Sequence, residues 1–309
     1  MIQLNNTCNF IAITVDIEDW YHLPPITGAP SSKFKDVPSF FNTWNGRYDY
    51  LSGPTYKVLE ILNEFNIKAT FFIVADVVEH YPGLVEKIVN NGHEIACHGL
   101  HHACKINPKT KEPLMSKDEF RQRTLQAKEI LEKVSGQEVI GYRAPNAYIA
   151  GWMLDILEDI GFKYDSSVSV NSIYNKSDSP LYGVGTKPYY PIKGGLEPGN
   201  VKRGIVETPW PYFKLFVKFP TGGGPVLRFF GARYIMRGLK GSLKRGNTVF
   251  YFHPIDISNE KFPLSSSLLQ NLFWMIKGNV VERRLKYILI NNRVRMQPIC
   301  EIIKQRNLA

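Results

Sequence analysis

Cysteine is scarce in this chain of 309 residues: Cys8, Cys97, Cys104 and Cys300 are all there is, with no CxxC pair. That excludes a disulfide-dense secreted scaffold and fits reduced, intracellular thiols. No uninterrupted apolar run approaches the roughly 20 residues of a membrane-spanning helix. No basic residue precedes the first apolar run, Phe10 to Val15, so no signal peptide is expected and the protein is placed in the cytoplasm. Internal repeats, low-complexity tracts and nucleic-acid motifs are missing too, so nucleic acid is not expected as a partner. Charge is present but unevenly placed. From Val226 to Ala309 there are 15 Lys/Arg against 4 Asp/Glu, a balance of +11, while the remainder holds 23 against 24. A basic C-terminal third can meet anionic headgroups, so contact with the inner membrane or a lipid-linked glycan is expected.

What the chain does hold, at 44% apolar residues, is enough to bury a sizeable core. Phe10–Asp16, Ala69–Val74, Glu94–Ala96, Val139–Arg143 and Phe162–Asp165 read as strands, short and rich in β-branched and aromatic residues. Between them lie helical patterns over Thr55–Phe65, Pro82–Asn91, Ser116 to about Val134 and Gly151–Ile160, the third opened by a Ser116/Glu119 capping box. Strand–helix alternation with short connections predicts an α/β fold with a parallel sheet or barrel and its site at the C-terminal strand ends. Residues 21–53, rich in Pro, Ser and Gly, read as a long loop over that site. Residues 171–225 change character, with a short strand at Gly204–Thr208. A buried strand returns at Thr248–Pro254, and Ser265–Gly278 and Val281–Asn291 look helical. One domain over 1–309 is expected, with a basic helical extension from about 276 to 309.

Reactive side chains cluster at the predicted strand ends. Asp16, Glu18 and Asp19 end the first strand, and His98 and His102 follow the third. If this histidine segment turns as a helix, spacing of four puts both imidazoles on one face, where they can close on one divalent metal. Two histidines and a carboxylate make a three-ligand site with an open position, a catalytic arrangement. Arg143 ends another strand, and His253 ends the late one. A closed Cys/His zinc site using Cys97 and Cys104 is the rival for this segment, but it leaves the carboxylates, Arg143 and His253 unexplained.

Asp16 with Glu18 and Asp19, His98-Gly-Leu-His-His102, Arg143-Ala-Pro145, Asp165-Ser-Ser167 and His253-Pro254 resemble, in order, the motifs of NodB-type polysaccharide deacetylases, carbohydrate esterase family 4. Thr14-Val-Asp-Ile-Glu-Asp-Trp20 looks like the Asp-Val-Glu-Asp variant of the subgroup linked to exopolysaccharide and O-antigen loci. So do Phe219-Pro-Thr-Gly-Gly-Gly224, Arg228-Phe-Phe and Tyr251-Phe-His-Pro254. The resemblance covers roughly residues 10 to 275. It implies a distorted (β/α) barrel of about seven parallel strands that hydrolyses an acetyl group, most often N-acetyl, from a sugar of a surface polysaccharide or its precursor. It implies a divalent metal, usually zinc, held by His98, His102 and a carboxylate. Ile17 stands where the family's common form has its aspartate ligand, so Glu18 or Asp19 supplies it, and the approaching Pro-rich loop favours Asp19. Further implied are Asp16 as general base, Arg143 orienting it, and His253 as general acid. A backbone N–H near Tyr148 or His102 would help hold the oxyanion.

Pro145, Tyr148 and Trp210 are expected along the substrate, with Trp20, Tyr21 and Trp44 as further candidates for stacking on sugar rings. Asp165 reads as a hydrogen-bond anchor and Glu207 as a cleft residue. His93 reads as a solvent-side turn residue, and His101 as a surface or supporting group. Two other functions remain compatible with these residues: a metal amidohydrolase acting on a small amide, and a glycan-binding barrel without catalysis.

Overall fold

The computed structural model describes residues 9–23, 26–27, 32–44, 49–102, 115–170, 176–214, 216–260 and 275–307. Its strands are β1 (Ile11–Ile17), β2 (Thr70–Ile73), β3 (Glu94–Cys97), β4 (Gly141–Tyr142), β5 (Tyr164–Asp165), β6 (Val206–Glu207), β7 (Tyr212–Lys214), β8 (Lys218–Pro220), β9 (Thr248–Phe252) and β10 (Met296–Gln297). One sheet runs β10-β1-β2-β3-β4-β5-β6, with β9 also laid along β1, and every pairing in it is parallel. Among the described residues no ladder joins β6 to β9, so the sheet curls into the expected distorted (β/α) barrel and leaves it open there. β7 and β8 form a separate antiparallel hairpin.

Strand alternation sorts the core. Ile11, Ile13, Val15 and Ile17 pack outward beneath the helices, whereas Ala12 joins Phe72, Ala96, Tyr164, Val206 and Val249 inside the barrel. Helix Ile299–Asn307 plugs the lower end, adding Ile299, Ile302 and Ile303 to that inner cluster. Its first turn is tied down by side chains of the sheet: the Ile299 N–H donates to Thr70 Oγ1 (2.8 Å) and the Cys300 N–H to Glu94 Oε2 (3.1 Å). The region expected as a helical extension is therefore part of the barrel, since β10 pairs with β1 and the last helix closes the floor.

The expected loop over 21–53 contains a helix, Val37–Trp44. The helix expected over 265–278 lies mostly outside the described residues, as do Cys8, Cys104 and the Trp44 side chain. Helix Pro225–Leu243 was not expected at all. Gly231, Gly238 and Gly241 disguise it, and the first two are needed. Gly231 takes φ +79° at a kink, and a Cβ on Gly238 would lie 2.2 Å from Thr221 Oγ1.

Candidate active site

The inner face of β1 carries Asp16 to the mouth of the barrel. Its Oδ1 accepts from Arg143 Nη1 at 2.6 Å. Arg143 is fully buried. Its Nε and Nη2 donate to Ser166 O (3.0 Å) and Ser166 Oγ (2.9 Å), its Nη1 also to Thr14 Oγ1 (2.9 Å). The guanidinium lies 4.1 Å from the centre of the Phe72 ring. Held on every side, it fixes where Asp16 points.

Glu18, His98 and His102 bring one ligand atom each to within 4.8 Å of one another, all three residues buried. His98 Nδ1 is 2.9 Å from the Arg143 carbonyl and His102 Nδ1 3.2 Å from the His22 carbonyl. A carbonyl only accepts, so each Nδ1 carries the proton and each Nε2 is left as a ligand. Burial pushes the His98 pKa down to about 4, which keeps the imidazole neutral. Burial alone would raise Glu18, yet the neighbouring His102 and His253 hold its carboxyl well below the usual range. Two neutral imidazoles and a buried carboxylate fit a divalent cation with an open position.

Two expectations change here. The histidine pair does not sit on a helix: the chain leaves β3 through Gly99 at φ +83° and reaches His102 at φ +51°, and this bend closes the rings to 5.0 Å. The carboxylate in the trio is Glu18, not Asp19. Asp19 Oδ1 accepts from the Trp20 N–H (2.5 Å), Oδ2 accepts from Tyr81 OH, and the side chain caps the short helix Trp20–His22. In turn the Asp19 N–H donates to His22 Nδ1 (2.9 Å), whose Nε2 is 2.9 Å from Asp76 Oδ1. Asp76 thus holds the residue whose carbonyl holds His102, a role nothing local in the sequence announced.

His253 stands at the end of β9, its Nε2 3.2 Å from Glu18 Oε1 and 4.0 Å from Asp16 Oδ2. Its Nδ1 and its backbone N–H both meet Asp256 Oδ2, at 3.0 and 2.9 Å, across the first turn of helix Pro254–Ile257. Burial alone would lower the His253 pKa, but the charges of Asp256, Glu18 and Asp16 win and push it up to about 9. Behind Asp256 lies buried Arg228, Nε 3.3 Å from Oδ1, which also lines the cleft. Asp256 and Arg228 were not recognised as site residues, although both fall within quoted or adjoining motifs.

Trp210 lines the cleft. Its Nε1–H donates to Ser166 O (2.8 Å) and its ring lies 4.3 Å from that of Tyr251. Pro145 packs over Gly99 instead, and it is Ala144, Asn146 and Ala147 beside it that reach the cleft. Tyr148 sits against Lys176 outside the lining, and its N–H donates to Pro145 O (3.3 Å) rather than facing a reacting group. Trp20 and Tyr21 are core. Asp165 is an anchor, accepting from the Ser167 N–H (2.9 Å) and Oγ (2.7 Å). Glu207 is fully buried beside it, not in the cleft, and burial raises both carboxyls. The Cys97 thiol, which burial pushes up to about 12, belongs to the outer core, which removes it from any closed Cys/His site. His101 is exposed, with Nδ1 3.1 Å from Asp76 Oδ2.

His93 is buried rather than solvent-facing. Its Nδ1 accepts from the Ala69 N–H (3.2 Å), and its ring lies 4.9 Å from that of Phe71. Burial, then the Lys68 charge, pushes its pKa down from 6.5 to about 4. A folded value below the unfolded one means stability is lost as pH falls from 6.5 toward 4, about 3 kcal/mol in all. His93→Asn is expected to unfold at lower urea than the parent at pH 7 and to converge on it near the acid end. A gap that stays constant with pH would contradict this.

A curled parallel barrel thus brings a carboxylate–dihistidine trio, an arginine-held aspartate and an aspartate-held histidine together at its mouth. Residues 38–164 match the polysaccharide deacetylase family, and residues 171–303 match a domain of unknown function, DUF3473. Both matched segments build the one sheet: β2, β3 and β4 lie in the first, and β6, β9 and β10 in the second. The peptidoglycan-N-acetylglucosamine deacetylase of Bacillus cereus is 29% identical over 129 residues, covering 36% of this chain and 44% of the relative. The chain spans about half or less of the curated relatives it matches. A Mycobacterium smegmatis structure provisionally named a polysaccharide deacetylase superposes with TM-score 0.61 at 20% identity, covering 97% of this chain and 91% of that one. The PuuE allantoinase structure gives 0.56 at 14% identity, covering 93% and 85%. At those identities the likeness is one of fold. β1, with Asp16 and Glu18, precedes both matched segments, while His253, Asp256 and Arg228 lie in the second.

Proposed function

We propose that the chain is a metal-dependent deacetylase that removes an acetyl group, N-linked in the first instance, from a sugar of a glycan. The observation that carries this is the convergence, in one cleft, of Glu18, His98 and His102 with the Arg143–Asp16 pair and the Asp256–His253 pair. It is supported by the deacetylase match and by relatives named as peptidoglycan deacetylases. The matched segments are read as one catalytic unit, because the acid and the base come from opposite ends of the chain.

A zinc ion held by Glu18, His98 and His102 would supply Lewis acidity toward the acetyl carbonyl and a water of lowered pKa. Asp16, pointed by Arg143, takes the proton of the attacking water. His253, carrying its proton into neutral pH, gives it to the departing sugar nitrogen, which would otherwise leave poorly. Asp256 holds the far side of that ring through Nδ1, so that Nε2 faces the reaction. Trp210 offers the flat apolar wall on which a pyranose can lie.

The test is acetate release from a panel of N- and O-acetylated sugars and oligosaccharides, with chelator and with zinc restored. Acetate from at least one acetylated glycan, abolished by chelator and recovered with zinc, is expected. Turnover of small cyclic amides but no acetylated sugar would move the site to the amidohydrolases.

A further inference from the structure

The basic bias of the late chain resolves into a definite surface. Residues 212–245 hold eight Lys/Arg and no Asp/Glu. Along helix Pro225–Leu243 and the residue after it, Phe229 and Phe230 are exposed at the N-terminal end, then Arg233, Arg237, Lys240 and Lys244. Spacings of four, three and four keep those four cations on one side. Among the described residues none of the four has an ion-pair partner.

The aromatic end of this stripe is continuous with the β7–β8 hairpin. Phe230 stacks on Tyr234 (4.9 Å), Tyr234 meets Phe213 edge-on (5.2 Å), and Phe213 stacks on Phe219 (5.3 Å). At the hairpin tip Phe216 is fully exposed and Val217 half-exposed, with Lys214 and Lys218 beside them. The kink at Gly231 is pinned by Arg284, whose Nη1 donates to the Leu227 (3.1 Å) and Arg228 carbonyls. Phenylalanine rings held out into water on a pinned helix and a hairpin, with Arg233, Arg237, Lys240 and Lys244 alongside, suit an interface where one side is oily and the other anionic.

We propose that this face docks on an anionic lipid bilayer. The Phe216, Phe229 and Phe230 rings enter the headgroup layer, and Arg233, Arg237, Lys240 and Lys244 lie over the lipid phosphates. A soluble acidic polymer would satisfy the cations but gives no use for the rings. Pro225 and Arg228 line the cleft, so docking would hold its mouth beside the membrane surface, within reach of a glycan anchored there. The docking itself is independent of the deacetylase reading, because it is measured without turnover.

The test is co-sedimentation of the full chain with phosphatidylcholine vesicles, with and without about 30% phosphatidylglycerol. Binding is expected only to the anionic vesicles, weakening as salt shortens the Debye length. Arg237→Gln with Lys240→Gln should lower partitioning by about thirtyfold, the effect of two surface charges. Phe230→Ser should lower the part of the binding that survives high salt, Phe216 and Phe229 keeping the rest. Phe230→Trp should be quenched by chain-brominated lipid beyond the parent's own tryptophans, a readout that needs no loss of fold. No sedimentation with anionic vesicles overturns the proposal. So does binding that neither variant weakens. Binding to dextran sulfate as strong as to vesicles, with Phe230→Trp unquenched, overturns it in favour of a soluble polyanion.

Discussion

Asp16→Asn is expected to slow turnover by on the order of a thousandfold while metal content and melting temperature stay near those of the parent. Asparagine keeps the shape and can still face Arg143, but it cannot take a proton, and Asp16 is not in the ligand trio. His253→Ala should separate two substrates. An amide must have its nitrogen protonated to leave, so hydrolysis of an N-acetyl sugar should fall by a factor of about 100 or more. An aryl acetate leaves without that help and should suffer far less. If both substrates lose equally with the fold intact, His253 is a structural residue and the acid must be sought elsewhere. Activity should also decline on the alkaline side as His253, poised at about 9, gives up its proton before reaching substrate.

The second large effect concerns the two adjacent carboxylates. Glu18→Gln, His98→Ala and His102→Ala should each lower metal affinity by more than the roughly 10–100-fold that changes to outer hydrogen-bond partners cost. Asp19→Asn should leave the metal in place, because that side chain is spent on the Trp20 N–H and Tyr81. Asp76→Asn, acting through His22 on His102, should fall between the two, about tenfold. Metal content by elemental analysis after dialysis against a graded chelator reads all five. Metal lost from Asp19→Asn but kept in Glu18→Gln would reverse the assignment.

That pair of carboxylates also shows what the sequence could and could not tell. The buried strands were legible because each is a short apolar run with β-branched or aromatic residues, and their ends marked where Asp16, His98, Arg143 and His253 would meet. Alternation along an extended β1 already put Glu18 on the side of Asp16. What pointed to Asp19 was the nearby loop, and the cap it makes on Trp20–His22 was missed. The histidine spacing pointed to the right partners through the wrong conformation, because a left-handed His102 is set by its bond to His22 and not by its neighbours. Asp76 and Asp256 were hidden for a similar reason. Each acts through a second side chain, and only the folded distance shows it.

The place of β1 has a cost during synthesis. Its flanks are completed by β9 and β10, and the bond from Thr14 Oγ1 to the Phe250 carbonyl spans 236 residues. At roughly 5–20 residues per second, a ribosome needs on the order of 10–50 s to emit that span. For that time the nascent chain carries a mostly apolar strand, buried throughout in the finished fold, with an unpaired edge ready to join a neighbour's. Production in cells should accordingly respond to chaperone supply and to slower, cooler translation. A chain stopped before Thr248 should collect in inclusion bodies, however sound its first 165 residues look as a domain.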